Sequence, residues 1–373
     1  MLETLMITHK LNIRYPIFQA PMAGGPTTPE LVAAVSNAGG LGNLGAGYLT
    51  PEQLRHAIRK IRALTDRPFG VNLFVLGQPE DSEETIAKMA DYLNSCRKEL
   101  GIPQNPPLPQ YSELFEEQVQ VLLEERVPVF SFTFGIPSPD VIQSMKQRGT
   151  FVIGTATTVD EAIQLELSGV DAIVAQGSEA GGHRGTFLKD GSDALIGLMA
   201  LVPQICDHVS IPVIASGGVM DGRGLVASLA LGAAAVQMGT AFLACTESGA
   251  HPAYKQKLLS ANEDATVITC AYSGKAARGI RTKFISDMHL YPGKIPPYPI
   301  QHVMTRDIRQ AAAMANKPEY MSLWAGQGLR LAKDRSAAAI VKQTMDQANM
   351  LVNKSFHSKN DDQSIRDSQP LHE

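Results

Sequence analysis

The sequence is short of cysteine, of positive charge and of long apolar runs, and each shortage excludes something. Four cysteines stand at 96, 206, 245 and 270 in 373 residues, and none forms a Cys-x-x-Cys pair. That spacing argues against a zinc site and a disulfide framework, so no metal is expected and the thiols are expected reduced. Lys and Arg number 33 against 37 Asp and Glu, a formal net charge of −4. With no basic excess to hold a phosphate backbone, nucleic acid is not an expected partner. No apolar run reaches the roughly 18 residues of a membrane helix, and residues 1–10 lack a basic stretch followed by a long apolar one. The expectation is a cytoplasmic chain that neither crosses nor is exported through a membrane.

What is present is an ordinary apolar content of 44% and 32 glycines. The glycines punctuate an alternation of short apolar runs and helical patterns. Strands are expected near 16–22, 41–47, 69–75, 127–134, 151–155, 170–175, 212–218 and 233–240, with helices between most of them. Thr50-Pro51 is a strong helix start, with Thr50 as N-cap and Pro51 in the first turn. The strands are almost continuously apolar, as strands covered on both faces are, and eight parallel units close naturally into a TIM (β/α)8 barrel. An open doubly wound sheet is the alternative.

Residues 77–110 break the rhythm with Pro79, Pro103, Pro106, Pro107 and Pro109 around a polar helix, and are expected to be an insertion after the third strand. The barrel is assigned to 1–250, a helical segment completing the site to 251–352, and a disordered tail to 353–373, where apolar content is low.

Barrel chemistry sits at the carboxyl ends of the strands, and a phosphate is often held after the last two. Those ends read Ser216-Gly217-Gly218 and Gln237-Met238-Gly239-Thr240 and offer unhindered backbone N–H groups; Asp221-Gly222 then opens a helix whose dipole favours an anion. The sixth strand empties into Gln176-Gly-Ser-Glu-Ala-Gly-Gly-His-Arg-Gly185, where Gly181 and Gly182 let backbone approach a ligand and His183 is the one imidazole. Ala20-Pro21-Met22, Asn72 and Gln176 supply an apolar wall and two amides, a lining suited to an isoalloxazine ring. The competing role for each amide is to satisfy neighbouring backbone. Gly40-Leu-Gly-Asn-Leu-Gly45 matches the dinucleotide fingerprint, but it follows a helix where a strand is required, and it is rejected.

Taken in order, Gln19-Ala-Pro-Met-Ala-Gly24, Gly70-Val-Asn-Leu-Phe74, the 176–185 loop, Ile214-Ala-Ser-Gly-Gly-Val219, Gln237-Met-Gly-Thr240, Ala277-Arg-Gly279 and Trp324-Ala-Gly-Gln-Gly328 resemble the nitronate monooxygenases, the 2-nitropropane dioxygenase-like flavoenzymes. The resemblance implies FMN as cofactor, contacted by Asn72, Gln176, Gly181, Gly218 and residues 237–240, with His183 as the catalytic residue beside the flavin. It implies a small anionic nitronate, such as propionate 3-nitronate, oxidised by O2 to a carbonyl compound and nitrite or nitrate. His183 would hold the nitronate oxygens, or act as acid or base on a neutral nitroalkane if its pKa lies near the working pH.

The rival within enzymes is a flavin-dependent enoyl-acyl-carrier-protein reductase using NAD(P)H, which shares the Glu-Ala-Gly-Gly-His element; the 77–110 insertion and the Trp324 segment favour the nitronate enzyme. A catalytically silent binding or scaffold barrel is the rival of another class, and the histidine in its glycine loop counts against it. Arg184 could add positive charge to the site or be a solvated or phosphate-side residue. Lys275, Arg278 and Arg281 could steer anions to the mouth, or form a solvated basic face. A homodimer is admissible.

Overall fold

The computed structural model describes residues 6–77, 81–107, 114–189 and 194–366, with side chains to residue 354. The strands are β1 (Ile17–Gln19), β2 (Gly42–Gly45), β3 (Phe69–Phe74), β4 (Val129–Thr133), β5 (Phe151–Ala156), β6 (Ala172–Gln176), β7 (Gly182–His183), β8 (Val213–Ser216), β9 (Ala235–Met238), β10 (Thr266–Thr269) and β11 (Ala277–Ile280). Eight of them pair in parallel in the order β1-β9-β8-β6-β5-β4-β3-β2. The ring closes where Gln19 N donates to Leu41 O and Leu41 N to Ile17 O, each at 2.9 Å. This is the expected (β/α)8 barrel, and the doubly wound alternative falls with its closure.

Strand alternation divides the apolar side chains into two layers. Val129, Ile153, Val174, Ile214 and Ala235 fill the barrel interior, and Ile7 and Leu11 of the short helix Met6–Leu11 pack against them as a plug. Their neighbours Phe130, Val152, Ile173, Val213 and Val236 face outward against the surrounding helices. Several of those helices start where side-chain oxygens satisfy free N–H groups. Thr50 and Gln53 form a reciprocal capping box at Pro51–Leu64, and Thr158 caps Val159–Leu167. Gly42 and Gly45, part of the rejected fingerprint, lie in β2, where a Cβ would run into Val32 and into Ala23 backbone; their role is close packing.

The segment after 250 differs from the helical expectation. β10 and β11 form an antiparallel pair, and β11 takes β7 as its other neighbour, so a three-stranded sheet stands over the barrel mouth. The run Thr266-Val-Ile-Thr269 carried the β-branched signal for it. The insertion joins this cap. Its helix Glu83–Leu100 buries Met89, Leu93 and Cys96 in one apolar cluster with Tyr272, Phe284, Met288 and Ile308. Arg97, 1% exposed, ties it down through Asp307 Oδ2 at 2.8 Å and Met304 O at 2.9 Å. Residues 78–80 and 108–110 of the insertion lie outside the described residues.

The last helix, Ala337–Arg366, returns to the barrel and packs Val341, Met345 and Ala348 into the outer layer. It runs through 353–366, where disorder was expected from composition; that stretch contains neither proline nor glycine to end it. Residues 367–373 of the expected tail lie outside the described residues.

Candidate active site

Residues at or just beyond the carboxyl ends of all eight barrel strands open on one cavity of about 690 Å³, which the cap covers. Of the residues predicted from the sequence, Pro21, Met22, Asn72, Gln176, Gly181, Gly182, His183, Gly217, Gly218, Gln237, Gly239 and Thr240 line it. Ala20 and Met238 do not. Alternation turns Gln237 inward and Met238 into the outer apolar layer, where it is fully buried; Ala20 N donates to Met238 O at 2.9 Å and extends the β1–β9 ladder.

The amides behave differently. Asn72 Nδ2 donates to Ser131 Oγ at 3.0 Å, and its carbonyl oxygen takes part in no hydrogen bond among the described residues. Gln176 is committed at both ends, donating from Nε2 to His183 O at 3.0 Å and accepting from Gly185 N at 2.8 Å. Its work is to shape the histidine loop. Arg184 serves the same end: fully buried, it donates to Gly177 O, Gln176 O and Ala194 O, so it is neither a solvated side chain nor a charge facing a ligand. Buried Glu161 fixes the following residues by accepting from Thr186 Oγ1 and Phe187 N, both at 2.7 Å.

His183 sits on β7, paired to Ala277 of β11, with its ring among Phe134, Tyr298 and Trp324 at centroid distances of 5.9, 5.7 and 5.3 Å. Nε2 lies 2.8 Å from Ser273 Oγ; Nδ1 takes part in no hydrogen bond among the described residues and is the nitrogen left for a ligand. Burial, reinforced by the positive charges of Lys275 and Arg309, pushes the imidazole pKa down to about 3. The ring is therefore neutral around pH 7, and the sequence-based condition for acid–base work is not met.

The glycine ends fit a phosphate. Gly217 and Gly218 adopt φ of +135° and +68°, and the N–H groups of Gly217, Gly218 and Gly239 donate to nothing among the described residues. Orphaned donors of this kind are ready for an anion. The helix Gly222–Ala230 is not such a site: Asp221 caps it at Arg223 N, and Gln347 Oε1 accepts from Gly222 N at 2.9 Å. Beside the cradle, Gly181 and Gly326 pack backbone on backbone; a Cβ on Gly181 would stand 2.5 Å from Gly326 N. Gly326 N also donates to Thr240 Oγ1 at 2.9 Å, which joins the Trp324 segment to the end of β9.

Several lining residues were not read from the sequence. Tyr48 stacks on His302, with ring centroids 4.6 Å apart, and Tyr298 and Arg309 stand beside them. They come from segments far apart in the chain and become neighbours only when the cap folds over β2. Two of the basic residues that were named are held by backbone, Lys275 Nζ donating to Thr186 O at 3.0 Å and Arg278 Nε to Ser178 O at 2.8 Å, and Arg281 is exposed. Among the described residues, no cluster of His, Cys, Asp and Glu is arranged to hold a metal ion, and no helix is long and apolar enough to cross a membrane.

Residues 4–347 match the family model described as nitronate monooxygenase. The chain is 49% identical to a probable nitronate monooxygenase of Staphylococcus haemolyticus, across 93% of this chain and 97% of that one. It is 48% identical to the Staphylococcus aureus counterpart, with coverage of 93% and 98%. Among solved structures it is similar to nitroalkane oxidase from Streptomyces ansochromogenes, at TM-score 0.86, 39% identity and coverage of 93% and 99%. It is also similar to FabK from Thermotoga maritima, at TM-score 0.76, 33% identity and coverage of 95% and 99%.

Proposed function

The chain belongs to the nitronate monooxygenase family and is an oxidoreductase, and from that premise we propose that it binds FMN and oxidises small alkyl nitronates with O2, yielding a carbonyl compound and nitrite or nitrate. The observation that carries this reading is a neutral histidine with one free nitrogen, beside a phosphate-ready cradle, in a single cavity.

The residues present suit the cofactor. Gly217, Gly218 and Gly239 would hold its phosphate through their N–H groups, while Pro21, Met22 and the carbonyl of Asn72 would meet the ring system. Bound there, the flavin supplies the electron transfer that side chains cannot perform.

His183 does the positioning. The role requires the tautomer with the proton on Nδ1, so that Nδ1–H meets the nitronate oxygens; Nε2 then accepts from Ser273 Oγ–H, whose other acceptor is Lys275 O at 3.2 Å. The low pKa supports this role over abstraction of a proton from a neutral nitroalkane, because a base that weak removes carbon-bound protons poorly. Phe134, Tyr298 and Trp324 around the ring exclude water from the carbanion.

The enoyl-acyl-carrier-protein reductase alternative draws on less similarity, since the nitronate monooxygenase relatives stand at 48–49% identity and FabK at 33%. Anaerobic mixing of the purified yellow protein with propionate 3-nitronate and, separately, with NADH tests the choice. Loss of oxidised-flavin absorbance with the nitronate is the expected result; bleaching by NADH alone would transfer the assignment to the reductase.

A further inference from the structure

Among the described residues, Arg309 is a cation without a counter-ion at the wall of the cavity. It lies on the helix Arg306–Met314, in the cap, and none of the ion pairs among the described residues includes it. Its Nη2 donates to His302 O at 2.7 Å, and its buried Nε has no partner among the described residues. Tyr48, Tyr298 and His302 are its neighbours in the cavity wall, and among the described residues no carboxylate pairs with it; the two phenol oxygens lie 3.5 Å apart. Elsewhere in the cap, buried Arg97 pairs with Asp307, and buried Arg278 is held by neutral oxygens, Ser178 O and Thr266 Oγ1. A guanidinium left unpaired in so apolar a setting is destabilising for the protein alone and is matched by a planar anion arriving from the cavity.

The cradle at Gly217, Gly218 and Gly239 already accounts for a cofactor phosphate, and the free Nδ1 of His183 accounts for the nitronate. Arg309 is reached from His183 through adjoining rings: His183 to Tyr298 is 5.7 Å between centroids and Tyr298 to His302 is 5.8 Å, with the guanidinium on His302. Resting on the nitronate reading above, we infer that Arg309 forms a second anion subsite and determines specificity, selecting nitronates that carry a carboxylate a few bonds from the reacting carbon.

The test compares propionate 3-nitronate with propyl-1-nitronate, which share a chain of similar size and differ in the carboxylate, on the flavin-loaded wild type, Arg309→Gln and Arg309→Lys. Arg309→Gln should raise KM for propionate 3-nitronate by about 10- to 100-fold, the value of a charge-assisted hydrogen bond. It should leave kcat for both substrates and KM for propyl-1-nitronate nearly unchanged, and Arg309→Lys should recover part of the loss. Equal losses on both substrates would assign Arg309 to the nitronate group or to the fold, and no loss on either would remove it from recognition; either result overturns the subsite. Should the wild type turn over neither nitronate, the functional reading fails separately, and the subsite is read by binding. Propionate and 3-nitropropionate should then perturb the flavin absorbance of the wild type and not of Arg309→Gln, and equal perturbation of both would sink it.

Discussion

His183 Nε2 and Ser273 Oγ stand 2.8 Å apart although 90 residues separate them in the chain. The hydroxyl leaves one imidazole nitrogen, Nδ1, for the cavity, and it holds the ring in place from the side of the cap.

The first prediction concerns that pair. His183→Ala should retain flavin while kcat/KM for nitronates falls by about 10²- to 10³-fold, the usual cost of losing a donor that meets developing charge. Ser273→Ala should lower kcat by roughly five- to tenfold, about the value of one hydrogen bond, and Ser273→Thr should restore it. Steady-state kinetics with flavin occupancy read from the visible spectrum checks all three. An unchanged rate in His183→Ala would remove the residue from the mechanism.

A second prediction tests the phosphate cradle. Gly218→Asp should yield colourless protein, because a carboxylate would stand where the free N–H groups await an anion. Gly218→Ala is the control: its Cβ would meet Glu179 Cβ at an ordinary 3.4 Å, and the φ of +68° costs about 1 kcal/mol, so the yellow colour should persist. Full flavin occupancy in the Asp variant would contradict the placement.

Stability should depend on acid in a defined window. Burial pushes His183 to about 3 and His302, beside Arg309, to about 2, both below the unfolded value of 6.5. The unfolded chain therefore binds more protons below pH 6.5. Stability is constant with respect to these groups above that value and falls as the pH drops toward 3, by at most about 1.4 kcal/mol per pH unit for each histidine. Denaturant midpoints at pH 7.5 and 5 should differ accordingly, and His302→Gln should reduce the difference.

Much of the barrel was legible because continuous apolar runs and glycine stops are local signals. Val159–Leu167 and the Thr50 cap emerge as the pattern predicts. The glycine loops were legible for the same reason. Arg309, Ser273 and the Tyr48–His302 stack were not: each gains its surroundings from elements far away in the chain. β10 and β11 were passed over because two short strands without a third partner give a faint signal, and the partner, β7, is only two residues long. Gln176 and Arg184 lie beside a functional loop, and the hydrogen bonds they make go largely to the backbone that the loop must hold still.

The pairing of β7 with β11 also bears on how this architecture divides. Residues 1–250 contain every barrel strand, yet the edge that orients His183 is contributed from 277–280. A gene shortened to the barrel would encode a vessel with a phosphate cradle and no oriented imidazole. The site therefore draws on both sides of residue 250, and cutting the chain there would separate the histidine from the edge that orients it.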